Sequence, residues 1–183
     1  MLRHLPNLLS ALRLMAAPLA AGLLLNDHDS AALAIFAAAA FSDLLDGYVA
    51  RRWGFTSRFG AWLDPAADKL LTILCLVALL RLDCAPLWLV LLVLARDFAI
   101  ALGAVLAWAL SLPLRIAPLV LGKASMAAEV AYIGIWLVLL ALDLEAPRLM
   151  LAGALAVAVL TLLSAFAYGR VFLHGLFFGG RTA

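Results

Sequence analysis

Residues 86–110 read PLWLVLLVLARDFAIALGAVLAWAL, twenty-five positions whose only charges are the adjacent Arg96 and Asp97. A membrane-crossing helix needs roughly 20 such residues, because in lipid each backbone N–H and C=O must be satisfied within its own segment. Working outward, further apolar runs occupy roughly 7–25, 31–51, 65–81, 118–142 and 147–173. The breaks between them carry turn formers and charges: Asn26-Asp27-His28-Asp29, Arg52 to Gly60, Asp83 to Pro86, Ser111 to Pro118 and Asp143 to Pro147. Helix ends collect these residue types. The reading is an all-α integral membrane protein, six transmembrane helices in a single bundle, with residues 1–183 forming one domain.

Composition excludes the soluble alternative. The chain is 68% apolar and 13% charged, with a mean hydropathy of +1.14. A soluble domain keeps about a quarter of its residues charged. The alanine- and leucine-rich runs show no internal repeat. Residues 1–25 combine Arg3 with an apolar run, as a cleaved leader would. Arg13 and Pro18 interrupt that run, and no small-x-small site with a polar region after it follows, which favours a first span.

Basic residues set the orientation. With six spans, one side gathers Arg3, Arg51, Arg52, Arg58, Arg115, Arg170 and Arg181, with Lys123 close by. The other side has Arg81 and Arg148 among Asp27, Asp29, Asp83, Asp143 and Glu145. The first group, with both termini, is expected in the cytoplasm. The net charge of +2 is too small to suggest nucleic acid; its asymmetry suits anionic lipid headgroups. Cys75 falls inside a span and Cys84 in an outer loop, so no disulfide is expected between them. His174 reads as an interfacial residue.

Charges inside membrane helices are costly and mark function. Here they are Arg13, Asp43, Asp46, Asp64, Asp68, Lys69, Arg96, Asp97 and Glu129. Asp43 and Asp46 are three apart, about 60° around a helix axis; Asp64 and Asp68 are four apart, about 40°. A short link with Gly54 and Gly60 lets the two helices return antiparallel, so the pairs can face each other. Four gathered carboxylates repel and need a cation. Oxygen ligands without a His or Cys cluster select Mg²⁺ or Mn²⁺. Mg²⁺ favours a few carboxylates plus substrate phosphates, so a phosphate-bearing ligand is expected as well. Gly47 and Ala50 leave room beside the backbone, and Arg51 offers a fork suited to phosphate. Salt bridges to Arg51, Arg58, Lys69 and Arg96, or a cation path through a transporter, are the competing readings. A transporter should show broken helices or inverted repeats, and neither is evident.

Read together, these residues spell Asp43-x2-Asp46-Gly47-x2-Ala50-Arg51-x8-Gly60-x3-Asp64-x3-Asp68. The pattern resembles the signature of the CDP-alcohol phosphatidyltransferase family, with eight specified residues over 26 positions. The six-span layout is similar to that family across nearly the whole chain. The resemblance implies transfer of a phosphatidyl group from CDP-diacylglycerol to an alcohol, with release of CMP. It implies a metal site of Asp43, Asp46, Asp64 and Asp68, commonly with two ions, and Asp68 as general base. It implies a CDP pocket shaped by Gly47, Ala50, Arg51 and Gly60, and a homodimer.

The flanks bear on the acceptor. Pro6-Asn7-Leu8-Leu9-Ser10-x2-Arg13 and Leu63-Asp64-Pro65-x-Ala67-Asp68-Lys69 resemble family members that make phosphatidylglycerophosphate or cardiolipin. Arg96-Asp97 is similar to cardiolipin synthases of the mitochondrial type, and Gly122-Lys123 fits both groups. Arg13, Arg96, Arg115 and Lys123 are the candidates to meet an acceptor phosphate. For Arg96 the alternative is an ion pair with Asp97 or Glu129; for Arg115 and Lys123 it is membrane anchoring. The acceptor expected is phosphatidylglycerol, with glycerol 3-phosphate as the alternative.

Overall fold

The computed structural model describes the backbone of residues 5–53, 60–110 and 119–178, and the side chains of 11–42, 66–110 and 119–177. The described residues form six helices: α1 (Leu5–Leu24), α2 (Asp29–Trp53), α3 (Gly60–Arg81), α4 (Leu87–Ala109), α5 (Val120–Ala141) and α6 (Pro147–Phe178). No strand occurs among them. The expected all-α class holds, and each apolar run supplies one helix. Four run past the expected limits, α1 and α2 by two residues at an end and α3 and α6 furthest: α3 starts at Gly60 and α6 continues to Phe178. A helix end satisfies its own ladder beyond the apolar run, so hydropathy alone underestimates its length.

By length and composition, Leu87–Ala109, Val120–Ala141 and Pro147–Phe177 can each cross a membrane. Within the described residues, α1 and α2 contribute shorter apolar stretches, Ala11–Leu24 and Asp29–Ser42. The exposed faces of the long helices are apolar, as lipid requires: Phe98, Val105 and Trp108 on α4, Leu155, Leu162 and Phe166 on α6.

The chain packs as two units, with α5 divided after Glu129. The first contains α1, α2, α3 and the second part of α5. There α1 packs against both α2 and α3. Its buried stripe is Arg13, Ala17, Ala20 and Leu24, at helical spacing. The buried stripe of α3 is Ala67, Leu71, Cys75 and Ala78. Small residues let two backbones approach closely where no hydrophobic force separates lipid from leucine. The second unit contains α4, the first part of α5, and α6. Its buried residues include Leu89, Val93 and Arg96 on α4, Ser125 and Glu129 on α5, and Ala154, Val157, Thr161 and Ser164 on α6.

The turns after α1, α3 and α5 are built alike. Each has an aspartate in the left-handed region: Asp27 at φ 59°, Asp83 at 56° and Asp143 at 52°. After α3, Cys84 N–H reaches Leu79 C=O at 2.9 Å and Asp83 N–H reaches Leu80 C=O at 3.2 Å. The same pair of bonds recurs from His28 and Asp27, and from Leu144 and Asp143. This is the Schellman arrangement, which satisfies carbonyls a helix end would otherwise leave open. Aspartate tolerates the left-handed conformation better than residues with bulkier side chains. Pro86 then precedes α4, its carbonyl accepting from Leu89 N–H at 3.0 Å, and Pro147 opens α6, where a missing N–H costs nothing.

The left-handed cap gives a test. Asp83→Val is expected to lower stability by about 1–2 kcal/mol, while Asp83→Gly leaves it unchanged or raises it. Thermal unfolding in detergent reads both, and equal losses would show that the turn does not depend on a left-handed residue.

Candidate active site

Both halves of the aspartate pattern lie on continuous helix. Asp43, Asp46, Gly47, Ala50 and Arg51 fall in the second half of α2, and Gly60, Asp64 and Asp68 in the first part of α3. Regular helical geometry therefore gives each aspartate pair a common face. The side chains of Asp43, Asp46, Ala50, Arg51 and Asp64, with the surroundings of Gly47 and Gly60, lie outside the described residues. Asp68 is the member of the set whose contacts are described.

Asp68 Oδ1 accepts from Arg13 Nη1 in an ion pair that joins α3 to α1. Only 1% of the Arg13 side chain is open, against 26% of Asp68. A guanidinium taken this far from solvent is tolerable only beside an anion. Arg13 reaches that anion because it heads the small-residue stripe along which α1 meets α3. Thr72, one turn beyond Asp68, turns its hydroxyl to its own helix instead, donating to the carbonyls of Asp68 at 3.2 Å and Lys69 at 3.0 Å.

Among the described residues, no three His, Cys, Asp or Glu side chains gather as a metal cluster; three of the four proposed ligands lie outside them. The donor chemistry nevertheless fits a hard divalent cation. The set is all carboxylate, arranged in helical pairs, and the buried Cys75 lies two turns further along α3. Hard oxygen donors of this kind suit Mg²⁺ or Mn²⁺.

The candidate acceptor contacts fall in different parts of the chain. Arg13 lies in the first unit, beside Asp68. Arg96 and Lys123 lie in the second, and Arg115 falls outside the described residues. Arg96 is buried, its Nη1 bonding Asp97 Oδ1 at 2.9 Å and its Nη2 bonding Ser164 Oγ at 2.7 Å. The local ion pair raised as its alternative is therefore present, with Asp97 as the partner. Glu129 accepts from Ser125 Oγ at 3.1 Å, and Ser125 lies 3.3 Å from Thr161 Oγ1. Lys123 is exposed, one turn into α5.

Thr161, Ser164 and Tyr168 line one face of α6, and sequence reading passed over all three. Their spacing of three and four residues within an apolar run was the available signal. Tyr168 and Arg96 also line a cleft of about 270 Å³ between α4 and α6, walled by Gly103, Gly169 and Phe172. The Tyr168 hydroxyl accepts from Leu119 N–H at 3.2 Å, just before α5 begins. Gly122 lies so near that an added methyl would sit 2.8 Å from that hydroxyl oxygen. Tyr168 thus fixes the start of α5, the turn that carries Lys123.

A family model described as CDP-alcohol phosphatidyltransferase matches residues 3–166. The chain is 44% identical over 98 residues to a cardiolipin synthase (CMP-forming) of Streptomyces coelicolor, covering 50% of this chain and 46% of that protein. It is 44% identical over 90 residues to a CDP-diacylglycerol–glycerol-3-phosphate 3-phosphatidyltransferase of Cereibacter sphaeroides, covering 47% and 41%. With the cardiolipin synthase (CMP-forming) of Rattus norvegicus it shares 41% over 93 residues, covering 50% and 31%. In each case the match spans less than half of the relative's own length.

The close approach at Gly122 gives a second test. Gly122→Ala should destabilise by forcing Tyr168 or α5 aside, and Tyr168→Phe should destabilise by stripping Leu119 N–H of its acceptor, about 1 kcal/mol. The double variant should lose somewhat less than the sum of the two, because the nearest contact goes with the hydroxyl while the ring carbons Cε2 and Cζ, at 3.0 and 3.3 Å, still crowd the methyl. Additive losses would argue against the contact.

Proposed function

Because the chain belongs to the CDP-alcohol phosphatidyltransferase family, we propose that it transfers a phosphatidyl group from CDP-diacylglycerol to an alcohol and releases CMP. The observation that carries this reading is the eight-residue signature of Asp43 to Asp68, lying on two consecutive helices with its last carboxylate held by a buried arginine. In this reading Asp43, Asp46 and Asp64, with Asp68 at the edge of the set, hold Mg²⁺ or Mn²⁺, two ions in the full site. When bound, the metal supplies positive charge to the diphosphate and to the departing CMP.

The protein's own residues do the rest. Gly47, Ala50 and Gly60 leave space for the CDP moiety against the backbone, and Arg51 forks onto its phosphate. Asp68 takes the proton from the acceptor hydroxyl. The freed oxygen bonds to the phosphatidyl phosphorus while the bond from that phosphorus to the bridging oxygen breaks. The bridging oxygen leaves on CMP with the electron pair. Holding donor and acceptor in line supplies much of the acceleration.

The acceptor of this proposal is phosphatidylglycerol, giving cardiolipin, supported by the Arg96-Asp97 pair and by relatives named cardiolipin synthase. Glycerol 3-phosphate is the second reading, supported by the equally similar Cereibacter sphaeroides relative. Arg13, Arg96, Arg115 and Lys123 are the proposed contacts for the acceptor phosphate. All six helices span the membrane in this proposal, as one domain. The site and both termini are cytoplasmic, and the active form is a homodimer.

Purified protein in detergent should release CMP from CDP-diacylglycerol only with Mg²⁺ or Mn²⁺, and identifying the product lipid with each alcohol decides the acceptor. Asp68→Asn should slow turnover by about 10²- to 10⁴-fold. No CMP release with any alcohol would sink the reading.

Orientation has its own test through Cys84, in the turn after α3. Burial first, and then the charges of Asp29 and Asp83, push its thiol up from the ordinary value. The thiolate is the reactive form, so labelling by an impermeant maleimide should be slow at neutral pH and keep accelerating above the ordinary cysteine range. Right-side-out vesicles should label at Cys84, and the buried Cys75 should stay unmodified. Labelling only in inverted vesicles would reverse the proposed topology.

A further inference from the structure

Resting on the reaction proposed above, we infer that the cleft between α4 and α6 admits an acyl chain of the acceptor, so that the alcohol this protein uses is carried on a lipid. The cleft has a polar inner end and an apolar mouth. At the inner end Arg96 is 7% exposed, and its Nε is buried without an acceptor among the described residues. Its two Nη atoms are taken by Asp97 and Ser164. The Tyr168 oxygen accepts from Leu119 N–H, which leaves its own proton to donate. Donors left over at one end of a cavity call for an oxygen-bearing group. Asp97 offsets the charge of Arg96, and Lys123, on the turn that Tyr168 fixes, adds an exposed positive charge. An anionic headgroup complements that balance.

Outward from there the walls are Ile100, Leu102, Leu106, Val171 and Phe172, with Leu102 and Leu106 exposed. Both α4 and α6 are long and apolar enough to cross a membrane, so the mouth meets lipid. Glycines in membrane helices ordinarily let two backbones close. These do not. A methyl at Gly169 would meet nothing within 4 Å, and one at Gly103 would meet only Phe172, at 3.8 Å. The two glycines leave the cleft open instead of sealing it.

Volume limits what enters. Burying a whole drug-sized ligand takes about 300–1,000 Å³, and the cleft has about 270 Å³. It holds one chain of a lipid whose remainder stays in the bilayer, with the headgroup at the arginine end. Glycerol 3-phosphate has no apolar part to occupy such a space.

The experiment narrows the cleft in the full chain. Gly169→Leu adds a side chain into open space and replaces a residue that weakens helices, so folding is expected to hold. With phosphatidylglycerols of increasing acyl length, the wild-type acceptor KM should fall as the chain lengthens. In Gly169→Leu the KM for the long-chain acceptor should rise about tenfold, as losing contact with about two methylene groups would. Its kcat and its KM for CDP-diacylglycerol should change by less than about threefold, the mark of lost ground-state binding. The same substitution at Gly22 of α1, outside the cleft and equally open, should change none of these. Occupancy is read without turnover by a phosphatidylglycerol carrying a diazirine on one acyl chain. Its crosslinks should fall between Ala99 and Leu106 and between Ala165 and Phe172, and should be largely lost in Gly169→Leu. Phosphatidylcholine with the same chain should label there weakly.

Equal labelling by both lipids would make the cleft a general lipid contact and overturn the acceptor assignment. So would an unchanged acceptor KM in Gly169→Leu, or a rise in the KM for CDP-diacylglycerol in its place. Turnover with glycerol 3-phosphate and none with phosphatidylglycerol would end the inference and leave the reaction standing. If Gly169→Leu does not fold, Gly103→Ala decides by the same readings, with an acceptor KM raised about fourfold for one methyl group; an unchanged KM overturns the inference. If wild-type protein releases no CMP, the reaction reading falls on that result. The crosslinks still decide whether the cleft holds an acyl chain, and labelling confined to other helices would refute it.

Discussion

A guanidinium sealed between apolar helices must have an anion within reach, and the pairing of Arg13 with Asp68 is how the first unit of this protein meets that demand. Losing that anion would take from a nearly sealed guanidinium part of the charge that compensates it. The pairing therefore ties the register of α1 to that of α3. Register in turn decides which carboxylates of α3 face the site. The alanines along both helices follow from the same need, since a bulkier residue at Ala17 or Ala67 would hold the charges apart.

The second unit meets the same constraint by other means. Arg96 divides its donors between Asp97 and Ser164, and Glu129 is met by Ser125, itself next to Thr161. Hydroxyls on α6 thus add hydrogen bonds that the acids and bases of this unit do not supply among themselves. Tyr168 extends the row toward the start of α5, where its oxygen serves a backbone N–H that the helix cannot satisfy internally. Lipid offers no substitute partner for any of these groups.

Helix ends obey the rule as well. The turns after α1, α3 and α5 each satisfy their last carbonyls from within, through a left-handed aspartate and two crossing bonds. These aspartates share a residue type with Asp43, Asp46, Asp64 and Asp68 but serve backbone geometry. Position along the helix, at its end or within it, separates the two uses of one side chain.

Much of this was legible in the order of residues alone. Six helices follow from apolar runs between charged breaks, since backbone satisfaction in lipid is local to each segment. The aspartate signature follows from spacing, because three and four residues share a helical face whatever surrounds them. Arg13 was visible too, as a charge where lipid forbids one, but its partner was not. Several acids were equally available to it, and which one it meets depends on how α1 packs on α3. Arg96 was narrower, with Asp97 adjacent, yet Ser164 lies 68 residues away and nothing local points to it. Helices and faces are short-range consequences of the chain; the choice of partner for a buried charge is long-range, and only the tertiary structure makes it.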